Sequence, residues 1–362
     1  MAYQNVGTPR FWINTTEWLI KNKAATTIDI NGNPIQISDP YGVLNTLPVT
    51  PIGLDVLLAT FYANDIAIDV PTGVFNKNSF MAVLGHNYTT NGGGYLIFAD
   101  DYEVGASWVN EIDTSGYFNS GDGSYNPPYN GFTIYTFDST DKEIIGYHST
   151  NNTLSAVGSI VIGTYYDIPH SPELKLTMTR EMDGTKVIRT KGGADLVDHR
   201  YTKPAMWGDA GAWELYTGVP TNQALSRSGR RSWNLSFNYL QASDMLGLNQ
   251  TQSTANSGTD HHGDLFRGSD YDDGDINMHS DPDGTGTDTH GNFNYSLLTD
   301  DNFYSQVIHK TNGGQLPFIF QPDSSNNNPD QFAIAKFDMN EFQFKQVTNG
   351  VYNVKLKIRE VW

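Results

Sequence analysis

The sequence predicts an all-β protein of two domains, and three observations carry that prediction. Short runs of aromatic and β-branched residues recur along the chain, cut by Gly, Asn, Asp and Pro, as strands joined by turns are. Aromatics reach 12% and apolar residues 38% while charged residues are only 17%, so the chain is globular and not disordered. Period-two alternation is clean at the C-terminal end. Trp233, Leu235, Phe237 and Tyr239 share one face of 231–239, and Val354, Leu356 and Ile358 point inward while Lys355, Lys357 and Arg359 point outward. At 362 residues the chain is long enough to bury two cores.

The elements follow in order. Residues 1–24 hold Phe11-Trp12-Ile13 and Trp18-Leu19-Ile20, too short a segment for a core of its own, with a short helix over 17–23. This reads as an N-terminal arm that packs on the body or reaches a neighbouring subunit through Phe11, Trp12 and Trp18. Asn31-Gly32-Asn33-Pro34 is a turn between 27–30 and 35–37, which alternate as hairpin strands do. Strands are then expected at 65–70, 80–84, 94–98, 131–137, 143–147 and 159–166, split by a Gly-rich turn at 91–94 and a Gly/Ser/Asn/Tyr loop over 116–130. Many short strands with turns between them predict a jelly-roll sandwich over 25–170.

Pro169-His170-Ser171-Pro172 marks a junction, because two prolines bar regular structure there. The second domain, 171–362, opens with Leu174, Leu176 and Met178 as a half-buried strand, a turn at Asp183-Gly184 and a further run over 185–189. Between the strands at 231–239 and those after 301 lies a long polar loop, 250–299, too poor in apolar residues to form a core. The last strand runs to the C-terminal Trp362.

Composition narrows the chemistry. With no cysteine there is no disulfide, thiolate metal site or thiol nucleophile. A formal net charge of −18 argues against holding a nucleic-acid backbone by charge neutralisation; it suits a surface past which DNA slides by like-charge repulsion, and it also suits solubility. No stretch is long and apolar enough to insert in a membrane, and no export signal is read at the N-terminus. The nucleophile-elbow, zincin and P-loop motifs are absent, so the expectation is not an enzyme. Asp270, Asp272, Asp281 and Asp283 lie around Gly turns and are weak calcium candidates, lacking the bidentate Glu of an EF-hand. His261, His262, His279 and His290 of the same loop lack matched metal-ligand spacing, so no cofactor is expected beyond that calcium.

Two stretches carry a resemblance. From Arg230 the order is Trp233-x-Leu235-x-Phe237, then Asp301 to Ile308, then Gly313-Gly314-x-Leu316-Pro317-Phe318-Ile319-Phe320, then Phe332 to Phe337, then Val351 to Trp362. That order resembles the β-barrel domain of long-tailed bacteriophage tail proteins, in the minor tail and distal tail families. Ser79 to Leu84 ending in Gly85-His86-Asn87, with Gly158 to Gly163 and Tyr165-Tyr166-Asp167 further on, resembles the galactose-binding-like jelly rolls of phage structural proteins. In the distal tail family the tube-like domain comes first; here the order is reversed, so the resemblance is to tail components broadly.

The resemblance implies a jelly roll followed by a tail-tube-like barrel, in a structural virion protein made in the host cytoplasm. It implies self-assembly into a ring or tube, as a hexamer or trimer, beside other tail proteins. Phe11, Trp12, Trp18, Trp362 and the 250–299 loop are the expected assembly contacts. The alternative is a carbohydrate-binding adhesion or decoration protein of the virion, in which His86, Asn87, Tyr125 and Tyr129 contact a host surface glycan.

Overall fold

The computed structural model describes residues 7–22, 26–28, 34–36, 44–46, 52–53, 65–71, 74–75, 78–85, 94–99, 133–137, 144–149, 156–173, 177–181, 185–199, 206–207, 210–211, 230–245, 301–327 and 331–361. Strands dominate them, so the all-β class holds. β1 (Arg10–Ile13) and helix α1 (Thr15–Lys21) come first. They are followed by β2 (Thr26–Ile28), β3 (Pro34–Gln36), β4 (Ile52–Gly53), β5 (Asp65–Asp69), β6 (Ser79–Leu84) and β7 (Gly94–Ala99). β8 (Thr133–Phe137), β9 (Ile144–Ser149), β10 (Ala156–Val157) and β11 (Ser159–Asp167) precede the double-proline segment.

Beyond it lie β12 (Thr177–Glu181), β13 (Thr185–Arg189), β14 (Asp195–His199), β15 (Met206–Trp207), β16 (Ala210–Gly211), β17 (Arg230–Gln241) and helix α2 (Ala242–Met245). A π-helical turn (Tyr304–Ile308) and a 3₁₀ turn (His309–Thr311) lead into β18 (Phe318–Gln321), β19 (Ala333–Phe337), β20 (Phe344–Thr348) and β21 (Val351–Glu360). Ten strands form the main sheet, in the order β12-β17-β21-β19-β18-β1-β11-β6-β8, with β20 paired to β21. A second sheet has the order β3-β2-β5-β9-β7. Within it the expected hairpin is present, with Thr27 opposite Ile35.

The four residues of β1 join the two halves of the main sheet. Four strands of that sheet precede Pro169 and six follow Pro172, and β1 pairs with one from each group. Phe11 lies opposite Tyr166 of β11 on one side and Phe320 of β18 on the other. The strand pleat sends Phe11 and Ile13 to one face and Trp12 to the other. On the first face the Phe11 ring sits 5.3–5.9 Å from those of Phe303, Phe318, Phe320 and Phe337. On the second, Trp12 packs at 5.0 Å against both Phe80 and Tyr165, beside Val161, Ile319 and Ile334.

Of the two readings of the N-terminal segment, packing on the body and reaching a neighbouring subunit, β1 and α1 follow the first. Phe11, Trp12 and Trp18 are only 0%, 4% and 6% exposed. They serve the chain's own core, Phe11 and Trp12 on the two faces of β1 and Trp18 on α1, where its ring lies 5.1 Å from that of His309. The junction at Pro169–Pro172 likewise does not divide the main sheet.

Local chemistry fixes the corner after β1. Asn14 caps α1, its Oδ1 accepting from the Glu17 backbone N–H at 3.0 Å, which starts the helix at Thr15. β11 passes so close that a Cβ on Gly163 would lie 1.8 Å from the Ile13 carbonyl oxygen. Only glycine permits that crossing.

The long pair β17–β21 matches Trp233 to Ile358, Leu235 to Leu356 and Phe237 to Val354. All six are buried, as the alternation predicts. Tyr239 departs from it. The register shifts after Phe237, Tyr239 takes φ +61° and is 76% exposed, and Leu240 fills the core position. Met178 is also a correction: β12 is the terminal strand of the sheet, and Met178 is 38% exposed. β13 pairs with β14 and not with β12. The run from Tyr304 to Ile308 is helical, not extended, and lays Val307 and Ile308 on the Phe11 face of the sheet.

One ion pair is sealed inside this framework. Arg231 donates to Glu360 from Nη2 at 2.9 Å, Nε at 3.2 Å and its backbone N–H at 2.9 Å, and to the Phe332 carbonyl at 2.6 Å. Removing the carboxylate strands a buried guanidinium. Glu360→Ala is therefore expected to cost about 3–5 kcal/mol in a denaturant titration. Glu181→Ala, whose partner Arg359 is 33% exposed, is expected to cost no more than about 1 kcal/mol.

Candidate functional site

Two surface features stand out from the packed body. The first is a cleft of about 140 Å³ on the Trp12 face of the main sheet. Neighbouring strands supply its floor: Trp12 of β1 lies opposite Tyr165 of β11, and Thr136 of β8 lies opposite Phe80 of β6. The connection from β18 to β19 brings Ser324, Asn327 and Phe332 over the opposite wall. Arg10 is locked at one end. Its Nε and Nη2 donate to the two carboxylate oxygens of Asp167 at 2.6 and 2.7 Å. Its guanidinium carbon sits 4.3 Å from the Tyr165 ring centre and 5.0 Å from that of Trp12.

The cleft wall is fixed by further bonds. Trp12 Nε1 donates to Gln321 Oε1 at 3.1 Å. Gln321 Nε2 in turn donates to the Asn326 carbonyl at 3.0 Å and to Asn327 Oδ1 at 3.1 Å. The strand floor thus sets the position of the loop above it.

The second feature is the β13–β14 hairpin. Val187 faces Val197 and Ile188 faces Leu196 in register, and these four side chains are 45–59% exposed. Of the seven large hydrophobic residues exposed among the described residues, five lie between 178 and 197. Arg189 of β13 and Asp195 of β14 form an exposed ion pair at 3.0 Å. Among the described residues neither strand has a second hydrogen-bonded neighbour.

Two groups of buried polar side chains elsewhere bond to one another. Thr15 Oγ1 meets Thr164 Oγ1 at 3.2 Å, and Lys310 Nζ donates to Gln306 Oε1 at 2.8 Å and to Thr164 Oγ1 at 3.4 Å. This polar ladder ties α1, β11 and the helical turns together. Glu17 Oε2 accepts from both the backbone N–H and the hydroxyl of Thr46 at 2.9 Å. Burial pushes the Glu17 carboxyl above its ordinary value, against the pull of the Thr46 bonds and the charges of Lys21 and Lys336.

Of the residues singled out in the sequence, Phe11, Trp12 and Trp18 are described and lie in the core. Trp12 also reaches the cleft. Trp362, His86, Asn87, Tyr125, Tyr129, Asp270, Asp272, Asp281 and Asp283 lie outside the described residues, as does the 250–299 loop. Among the described residues no group of three or more His, Cys, Asp or Glu side chains is placed to hold a metal ion. No helix among them is long and apolar enough to cross a membrane. Comparison with protein-family models, with curated proteins and with solved structures found no match to this chain.

The Glu17 arrangement has a pH consequence. A carboxyl whose folded-state pKa is raised holds its proton longer when folded, so its contribution is fullest below the unfolded value and is lost as pH rises through the folded one. Urea titrations from about pH 4 to about pH 7 are expected to show the wild type losing stability relative to Glu17→Gln. A constant difference between the two across that window would contradict it.

Proposed function

We propose that this chain is a structural subunit of a tailed-phage virion that assembles with copies of itself into a ring or tube. The observation that carries the reading is the β13–β14 hairpin. A two-stranded ribbon with apolar pairs exposed in register, and no third strand among the described residues, is marginal in water, and adding strands stabilises it. The partner that fits is a second copy. Placing β14 of one subunit beside β13 of the next in the intramolecular register sets Asp195 against Arg189, Leu196 against Ile188 and Val197 against Val187. The charge and apolar pairing within one hairpin then repeats between hairpins.

Such a contact is head-to-tail, and it closes into a ring or propagates as a tube according to its rotation. The order of elements after Arg230, with its resemblance to tail proteins, supplies the context of a tail. In this reading the strands curled around Phe11 form the tube-like body, and the strands before Pro169 derive from a jelly-roll module. The activity is mechanical, with no chemistry asked of any side chain.

Light-scattering mass and negative-stain electron microscopy test the reading, with charge variants as controls. The wild type is expected to give rings or tubes with a central hole. Arg189→Glu should weaken their formation at least about tenfold while moving the unfolding free energy by no more than about 0.5 kcal/mol, since the site is exposed. The double variant Arg189→Glu/Asp195→Arg should restore assembly. A monomeric wild type, or assembly indifferent to these charges, would overturn the proposal.

A further inference from the structure

We propose that Asn349–Gly350, the turn between β20 and β21, is a site of spontaneous modification at which the Asn349 amide is lost as ammonia. The fold withholds the same reaction from Asn312–Gly313. Asparagine before glycine is the pairing most open to this chemistry, because glycine has no side chain to hinder attack by its own backbone nitrogen. These two dipeptides are described, while those at 31–32, 91–92 and 130–131 lie outside the described residues. In the reaction the Gly350 nitrogen gives its proton to hydroxide and bonds to Cγ of Asn349. The Cγ–Nδ2 bond breaks, ammonia leaves, and a five-membered imide remains. Water then opens the ring at one carbonyl or the other, giving Asp or iso-Asp at position 349 and one new negative charge.

The two turns differ in what holds the reacting atoms. At the first, the Gly313 N–H donates to the Ile308 carbonyl at 2.9 Å, so the attacking nitrogen is engaged. Asn312 is fixed in the left-handed conformation at φ +51°, and its Oδ1 accepts from Asn22 Nδ2 at 3.1 Å, which holds its amide against the end of α1. Thr311 Oγ1 braces the same turn by accepting from the Gly314 N–H at 3.0 Å. At the second, Asn349 is exposed, and among the described residues no group accepts from the Gly350 N–H or bonds to the Asn349 amide. A Cβ on either Gly313 or Gly350 would meet nothing within 4 Å, so access is equal and the bonds decide. The turn sets the register of β20 on β21, with Thr348 opposite Val351 and Gln346 opposite Tyr352. An iso-Asp routes the chain through Cβ and lengthens that turn by one backbone atom. β21 keeps its pairing with β17 and β19, and β20 is exposed over 345–348, so the modification frees an outer strand without opening the core. None of this depends on the β13–β14 hairpin.

Incubating the full-length chain at about pH 8, in buffer and in parallel in urea, tests this inference, with tryptic peptides read by mass spectrometry. Asn349 falls in peptide 346–355 and Asn312 in peptide 311–336. In urea the two sites should convert at rates within about threefold of each other, since only the dipeptide then matters. In buffer Asn349 should keep its urea rate within about threefold, while Asn312 slows at least about tenfold. Asn349→Gln should abolish conversion in peptide 346–355 and leave Asn312 as in the wild type, which assigns the signal to residue 349 and not to Asn353. Equal rates at the two sites in buffer, faster conversion at Asn312, or undiminished conversion of peptide 346–355 in Asn349→Gln would overturn the proposal.

Discussion

The structure depends on the insertion of β1 between β11 and β18. Four residues close a gap between a strand from the middle of the chain and one from near its C-terminal end, and they do so with a different side chain on each face. Phe11 anchors the aromatic cluster that β17, β21 and the π-helical turn enclose, and Trp12 anchors the packing of β6 and β8. Without β1, two edge strands would face each other with unpaired backbone groups, a state whose cost in a buried sheet is high. The sheet is continuous because that cost is removed at one place.

That constraint also separates the working surfaces from the body. The cleft is an extension of the β1 pairing: Arg10 and Trp12 share a face of β1, Tyr165 and Asp167 share the matching face of β11, and the antiparallel register sets each against its partner. The ion pair, the stacking and the cleft floor follow from that register. The hairpin is its opposite, a ribbon with exposed apolar pairs in register.

Much of this was legible in the sequence where one face of a strand is buried and the other wet. Trp233, Leu235 and Phe237, and Val354, Leu356 and Ile358, alternate with polar residues, and their strands pair as that pattern implies. Where both faces are buried the alternation vanishes, so Arg10–Ile13 looked like a loose aromatic segment and not a central strand. The bulge that turns Tyr239 outward leaves no local signal, since it is set by the pairing with β21. The cleft was missed because its parts are far apart in the chain, Arg10 and Asp167 being 157 residues from each other. A signal existed in the i, i+2 spacing of Arg10 with Trp12 and of Tyr165 with Asp167, which puts each pair on one face of a strand. Only the register shows that the two pairs meet.

The most direct test of the account is native-state hydrogen exchange on Phe11→Ala. If β1 holds both halves in one cooperative sheet, the slowest amides of β6 and of β21 should lose protection together, by the same free energy of about 3–5 kcal/mol. Loss confined to β21 and its neighbours, with β6 and β8 still protected as in the wild type, would mean that the two halves fold independently, and the central role assigned to β1 would be wrong.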